Sequence, residues 1–244
     1  MTTHPRTTSR RRVTTAVPAV NRLLAGLPAR ARNDVLNRCD EVELTHGELL
    51  SEPADVIRYA YFPADGFISL IATGGRHTNE VSLIGNEGMF SSSSILGSDV
   101  SPLRALVQGP GSALRLKTAD LRRAAHDHAM VRDTLNRYLC VIIAELAQGI
   151  VCNGYHTIEA RLARWLLMTQ DRAHSDRLEL THGLLATMLG VRRSGISVAA
   201  SALQTQEAIR YRRGAITILD RGHLEHVSCE CYGAAKKMYR RYLG

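Results

Sequence analysis

The chain has 244 residues, 45% apolar and 22% charged, with a net charge of +8, a balance that argues against intrinsic disorder and leaves room for one large domain or two ordinary ones. Five cysteines, an odd number in no regular framework, suit reduced thiols better than a disulfide scaffold. Continuous apolar runs fall far short of the ~20 residues of a bilayer span, and the basic N-terminus lacks the ~7 to 15 apolar residues of a secretory signal, so a cytoplasmic protein with no membrane contact is expected.

In chain order, residues 1–18 read as a flexible basic leader, with four arginines and no acid between Met1 and Arg12. Residues 21–37 predict a short helix interrupted at Leu27-Pro28. The pattern then changes to short segments at 59–63, 67–71, 80–84, 103–108 and 112–116, parted by turn signals such as Pro63-Ala64-Asp65-Gly66 and Thr73-Gly74-Gly75. They predict short antiparallel strands closing into a sandwich or barrel-like roll over residues 19–125.

From Asp120 the period becomes helical, and Leu135, Leu139, Ile142 and Leu146 recur at alternating spacings of four and three. That stripe on a helix of about 25 residues predicts pairing with a second copy through a coiled-coil seam, the alternative being that it packs on the roll. The dimerisation helix is placed at residues 126–153, and Asn153-Gly154 is read as the break before the last domain, 154–244. A second amphipathic helix follows from Thr157 to about Arg172, with Leu162, Trp165, Leu166 and Thr169 on one face.

Residues 180–203 carry the residue types of two short helices joined by a tight turn. Ala186 is small where the helices cross, Gly190 tolerates positive φ at the turn, and Ile196 anchors the second helix, with Leu185, Leu189 and Val191 facing the core. Thr181, Arg192, Arg193, Ser194 and Ser197 are the expected DNA contacts of this unit, the last four falling at the start of the second helix on its free side, where a recognition helix meets bases and phosphates. Residues 208–220 form two alternating runs around Arg213-Gly214, a hairpin that would bring Arg212 and Arg213 to a DNA backbone. Charge agrees: residues 156–244 hold 14 Lys and Arg against 8 Asp and Glu, a net of +6. Positive charge gathered at one end suits a module that approaches a polyanion, though a basic surface kept for solubility would give the same sum.

Over nearly its whole length the chain resembles the Crp/Fnr superfamily of bacterial transcription regulators. The resemblance is carried in order by Leu23-Leu24 with Leu27-Pro28, Tyr61-Phe62-Pro63 with Gly66 and Ser69, Glu80-Val81 with Ile84-Gly85 and Glu87-Gly88, the helical seam, Leu180-Thr181 with the helix-turn-helix, and Ile216 with Ile218-Leu219-Asp220. It implies an α+β chain: an N-terminal cyclic-nucleotide-binding-like antiparallel β-roll, a long dimerisation helix and a C-terminal winged helix-turn-helix. An effector in the roll would be met by Gly85, Glu87, Gly88, Ser91 and Arg104. Members that bind cyclic AMP use an Arg followed by Ser or Thr and Ala for the phosphate, whereas Leu103 stands at that place here and Arg104 one residue later. On a strand that shift turns the side chain to the other face, so cyclic AMP is not the expected ligand. Residues 91–94, all serine, read first as an ordinary polar loop, the alternative being amides and hydroxyls offered to an anion.

Iron-sulfur sensing in this family uses clustered N-terminal cysteines, and Cys39 stands alone. His223, His226, Cys229 and Cys231 form a denser group, but Cys-x-Cys is tighter than the usual zinc spacing, so buried thiols at a helix start are expected, with no metal and no cofactor. Cys140 and Cys152 lie in or beside the dimer helix and read as small core residues, not nucleophiles, so no enzyme is expected. The partners expected are double-stranded DNA, a second copy of the chain, RNA polymerase and a small-molecule effector of unknown identity. The competing reading is a signal-binding module whose wing serves protein contacts instead of DNA.

Overall fold

The computed structural model describes residues 21–75 and 77–244, so the basic leader expected at 1–18 lies outside the described residues. Two short helices come first among the described residues, α1 (Arg22–Ala25) and α2 (Ala29–Leu36). Asn21 caps α1 by accepting from the Leu23 and Leu24 amides, and its side-chain amide donates to the Pro63 and Gly88 carbonyls, pinning this end to the roll. The break falls at Pro28, as expected.

The roll is two antiparallel sheets. β1 (Asp40–Leu44), β7 (Gly111–Lys117) and β3 (Tyr59–Pro63) form one, and β2 (Leu49–Ser51), β6 (Arg104–Gly109), β4 (Phe67–Gly74) and β5 (His77–Ile84) the other. Leu44, Ile57, Ile68, Ile84, Phe90, Ala105, Val107 and Ala113 form a core of the roll. Strands β1 and β2 were not expected: one reads Asp-Glu-Val-Glu-Leu with a single fully buried residue and the other has three residues, so neither shows a pattern.

α3 (Thr118–Asp127) and α4 (Ala129–Tyr155) are parted by extended backbone at His128. The first half of α4 lies on the roll, where Leu135 is 3% exposed in a core with Leu23, Phe62 and Leu116. The stripe expected to face a partner is therefore divided: Leu135 belongs to the roll, and Leu139, Ile142 and Leu146 are half-buried. The exposed apolar line runs one residue on, through Cys140, Ile143, Ala147 and Ile150, again at spacings of three, four and three. α4 is also long and apolar enough to cross a membrane by length and composition, with a mean hydropathy of 1.4 over an 18-residue window of which 22% is buried. Counting unbroken apolar runs missed this because single polar residues interrupt the window. The helix continues through Asn153-Gly154 and ends at His156, so the break expected at Asn153-Gly154 lies two residues later.

α5 (Ile158–Ala173) starts at Thr157, whose hydroxyl accepts from the Ala160 amide. It buries Leu162, Trp165, Leu166 and Thr169, the face read from sequence. After it come β8 (Arg177–Glu179), α6 (His182–Leu189), α7 (Arg193–Thr205), β9 (Ile209–Arg212), β10 (Ala215–Ile218), α8 (Arg221–Val227) and α9 (Cys231–Leu243). β8, three residues long and unforeseen, pairs with β10 to make the wing a three-stranded sheet ordered β8-β10-β9. α9 runs back along α4, and its Tyr239 and Leu243 reach the roll core.

Candidate nucleic-acid interface

The turn between α6 and α7 follows from its residues. Thr181 caps α6 by accepting from the Leu184 amide at 3.1 Å. Gly190 ends it at φ +63°, and the Gly190 and Val191 amides return to the Ala186 carbonyl. Leu185, Leu189 and Ile196 are buried where the two helices cross, and the Arg161 guanidinium of α5 donates to the Leu189 carbonyl behind the turn.

Arg192, at the N-cap of α7, and Arg193 and Ser194 in its first turn are exposed. Ser197 is different: its hydroxyl donates to the Arg193 carbonyl at 3.1 Å and lies 3.0 Å from His182 Nδ1. The His182 ring stacks on Tyr211 of β9, centroids 4.2 Å apart. Ser197 thus helps lock α6, α7 and the wing together. Burial, with the charge of Arg193 nearby, holds the His182 pKa below its ordinary value. The free face also includes Val198, 71% exposed, and Ser201, which lie four and seven residues beyond Ser194 on the same side. The helical period alone, applied to exposed positions, would have found both.

Gly195 sits inside α7 because a Cβ there would stand 2.7 Å from Ile158 Cδ1 of α5. In the wing, Arg213 (φ +51°) and Gly214 (φ +81°) form the two-residue turn joining Arg212 to its partner Ala215, the geometry of a type I′ hairpin. Arg210, Arg212 and Arg213 are exposed there, Arg210 being the one the sequence reading passed over.

The winged helix-turn-helix module docks on the roll. Ile71 of β4 shares a core with Leu162 and Leu185, and Asn79 of β5 packs against Gly190. Glu80 accepts from the Ser69 hydroxyl and from Trp165 Nε1, both at 2.6 Å. Removal of water around Glu80 pushes its pKa up to about 7, and Glu145 of α4, 3.3 Å from the Ser82 hydroxyl, is raised to about 7 for the same reason. Glu87, in the turn after β5, forms an ion pair with Arg172 of α5 at 2.6 Å, with the two side chains 15% and 11% exposed.

The expected effector residues are separately engaged. Gly85 and Gly88 close the turn that holds Glu87. Ser91 adopts φ +77° at 4% exposure, its hydroxyl without a hydrogen-bond partner among the described residues. Arg104 pairs with Glu52 at 2.9 Å on the half-exposed edge of the roll. The His223, His226, Cys229 and Cys231 group is divided as well. His223 Nε2 lies 3.0 Å from Gln206 Oε1 and His226 ends α8, while Cys229 and Cys231 meet Cys152 and His156.

The family described as the Crp-like helix-turn-helix domain matches residues 160–227. No curated protein sequence matches the chain. Among solved structures it is similar to a protein from Eubacterium rectale assigned to the Crp/Fnr family of transcriptional regulators, at 17% identity over 84% of this chain and 96% of that one, TM-score 0.66. FixK2 from Bradyrhizobium japonicum is 18% identical over 78% and 98%, TM-score 0.64. A Crp/Fnr transcriptional regulator from Thermus thermophilus is 19% identical over 77% and 97%, TM-score 0.65. At such identities the likeness is one of fold. The chain therefore carries a Crp-like helix-turn-helix domain at residues 160–227 and shares the fold of Crp/Fnr transcriptional regulators.

Proposed function

We propose that this protein is a Crp/Fnr-type transcription regulator that acts in the cytoplasm as a homodimer and binds double-stranded DNA sequence-specifically. The observation that carries the reading is the exposed first turn of α7, bearing Arg192, Arg193 and Ser194, beside a wing that ends in Arg212 and Arg213. A helix of this kind enters the major groove by its N-terminal residues, where an arginine reads guanine through two acceptors, and wing arginines hold phosphate. Thr181, at the start of α6, is placed to meet the backbone of the same duplex.

Pairing runs through α4. Ile143 and Ile150 are 65% and 75% exposed on the apolar line that continues past the roll, and a second α4 would cover them, with Leu139, Ile142 and Leu146 at the flanks. The same pairing accounts for a helix apolar enough for a bilayer. RNA polymerase is the expected partner of the DNA-bound dimer.

The effector is a small molecule other than cyclic AMP, since Arg104 is held by Glu52 and Leu103 precedes it. The turn carrying Gly85, Glu87 and Gly88, with Ser91 beyond it, is the candidate contact. Glu87 there is bound to Arg172 of the DNA-binding module, so a ligand competing for either side chain would change how the two modules dock.

Selection of binding sites from randomised duplex DNA by the full-length protein tests the reading. The expected product is an inverted repeat with half-sites about one helical turn, ~10 bp, apart, bound more weakly as salt rises. Recovery of no enriched sequence, with no salt-dependent binding, would refute it.

A further inference from the structure

Away from the DNA-binding face, the last turn of α4, the hinge after it and the start of α9 bring Cys152, His156, Cys229 and Cys231 together, their ligand atoms all within 4.8 Å of one another. Three are buried cysteines, and the His156 side chain is 18% exposed. A single ion with metal–sulfur bonds of about 2.3 Å and a metal–nitrogen bond of about 2.0 Å sets tetrahedral edges of about 3.8 Å between sulfurs and about 3.5 Å from sulfur to nitrogen. Here Cys152 Sγ and Cys229 Sγ are 3.6 Å apart, and Cys231 Sγ and His156 Nδ1 are 3.5 Å apart.

The surroundings match a metal site as well. Glu230 Oε1 lies 3.2 Å from His156 Nε2, so the proton is held on Nε2 and the Nδ1 lone pair faces the three sulfurs, the arrangement in which a carboxylate orients a ligating imidazole. Gln148 Nε2 donates to Cys231 Sγ at 3.0 Å.

We propose that Cys152, His156, Cys229 and Cys231 form a closed, tetrahedral zinc site. Soft sulfur ligands with one imidazole select zinc over the oxygen-seeking cations, and four protein ligands leave no open position for chemistry, so the site is structural. Its place gives it a purpose. Cys152 and Cys229 are 77 residues apart in sequence, and the segment between them holds the whole helix-turn-helix and wing. The ion therefore fastens both ends of the DNA-binding module to the last turn of α4.

The test uses the full-length chain without a histidine tag, isolated under reducing conditions, with metal content measured by elemental analysis. About one zinc per chain is expected, lost in the Cys229→Ser/Cys231→Ser double variant and kept in Cys39→Ser, Cys140→Ser and His223→Ala/His226→Ala. Because the double variant can fail to fold, wild-type protein stripped by a chelator is also titrated with Co²⁺. Thiolate-to-cobalt charge-transfer bands with tetrahedral d–d bands are expected, shifted but still tetrahedral in His156→Cys. A wild-type chain free of zinc with an octahedral cobalt spectrum overturns the proposal. So does iron accompanied by inorganic sulfide, zinc lost with the His223→Ala/His226→Ala pair, or a Cys152–Cys229 disulfide in the freshly isolated protein.

Discussion

Arg193 and Ser197 are four residues apart on the recognition helix and have different surroundings. Arg193 is exposed and free to reach a base edge, whereas the Ser197 hydroxyl is held between the Arg193 carbonyl and His182. Arg193→Ala is expected to weaken binding to the selected operator by roughly 1 to 3 kcal/mol and to unrelated DNA much less, as read from titrations on both duplexes. Equal losses on both, with a lower salt slope, would make Arg193 a phosphate contact and move base reading to Arg192, Ser194 or Val198. Gly195 offers a second test. Replacing glycine by alanine in a helix gains about 1 kcal/mol, but here the new methyl meets Ile158 Cδ1 at 2.7 Å. Gly195→Ala is expected to change stability little in the native background and to stabilise by about 1 kcal/mol with Ile158→Val, which removes that carbon. Denaturant titration of the two pairs decides it, and identical changes in both backgrounds would show that the contact does not matter.

Among the elements, α4 has two jobs along its length. Its first half completes the roll with Val131, Leu135 and Tyr138, and its second half leaves Ile143 and Ile150 exposed. Light scattering at micromolar concentration should find Ile143→Glu/Ile150→Glu monomeric with an unchanged circular dichroism spectrum. Leu135→Ala should keep the dimer while losing about 2 to 5 kcal/mol of stability through the cavity it leaves. A dimeric double glutamate variant would place the interface elsewhere. The elements also mark how much of the fold was legible. α5, the helix-turn-helix and strands β3 to β7 carry an apolar pattern that can be read, while β1 is mostly polar, β2 and β8 have three residues each, and all three exist because partner strands supply their hydrogen bonds.

At the scale of the whole molecule, stability is expected to depend on pH through Glu80, which joins β5 to Trp165 of the C-terminal module, and Glu145, which joins α4 to Ser82 of β5. Both pKa values are raised from 4.5 to about 7, by loss of water first. A raised folded-state value means the protonated form is favoured on folding, so this stabilisation is complete below about 4.5 and lost as pH rises through about 7. Neither side chain is wholly shut off from solvent, which reduces the effect to roughly 1 to 3 kcal/mol per residue. Stability measured by urea titration should fall between pH 5 and pH 8, and Glu80→Gln should flatten the fall. The same slope in Glu80→Gln as in the native chain would show that Glu80 does not titrate in this range.

Local chemistry was enough to read the turn at Gly190, the start of α5 at Thr157, the hairpin at Arg213-Gly214 and the chain order of roll, long helix and winged module, because each depends on a few adjacent residues or on one repeating period. The sequence also placed most of the net positive charge in residues 156–244, since charge is additive along a chain. Packing decided the rest. Whether Leu135 or Ile143 faces a partner depends on which side of α4 the roll covers, and a helical period does not choose between neighbouring stripes. Arg104 was placed by Glu52, 52 residues away, and Arg172 by Glu87, 85 residues away. Cys152 and His156 met Cys229 and Cys231 only because α9 folds back along α4. Contacts of such separation are set by the three-dimensional path of the chain, and spacing along the sequence carries no record of it.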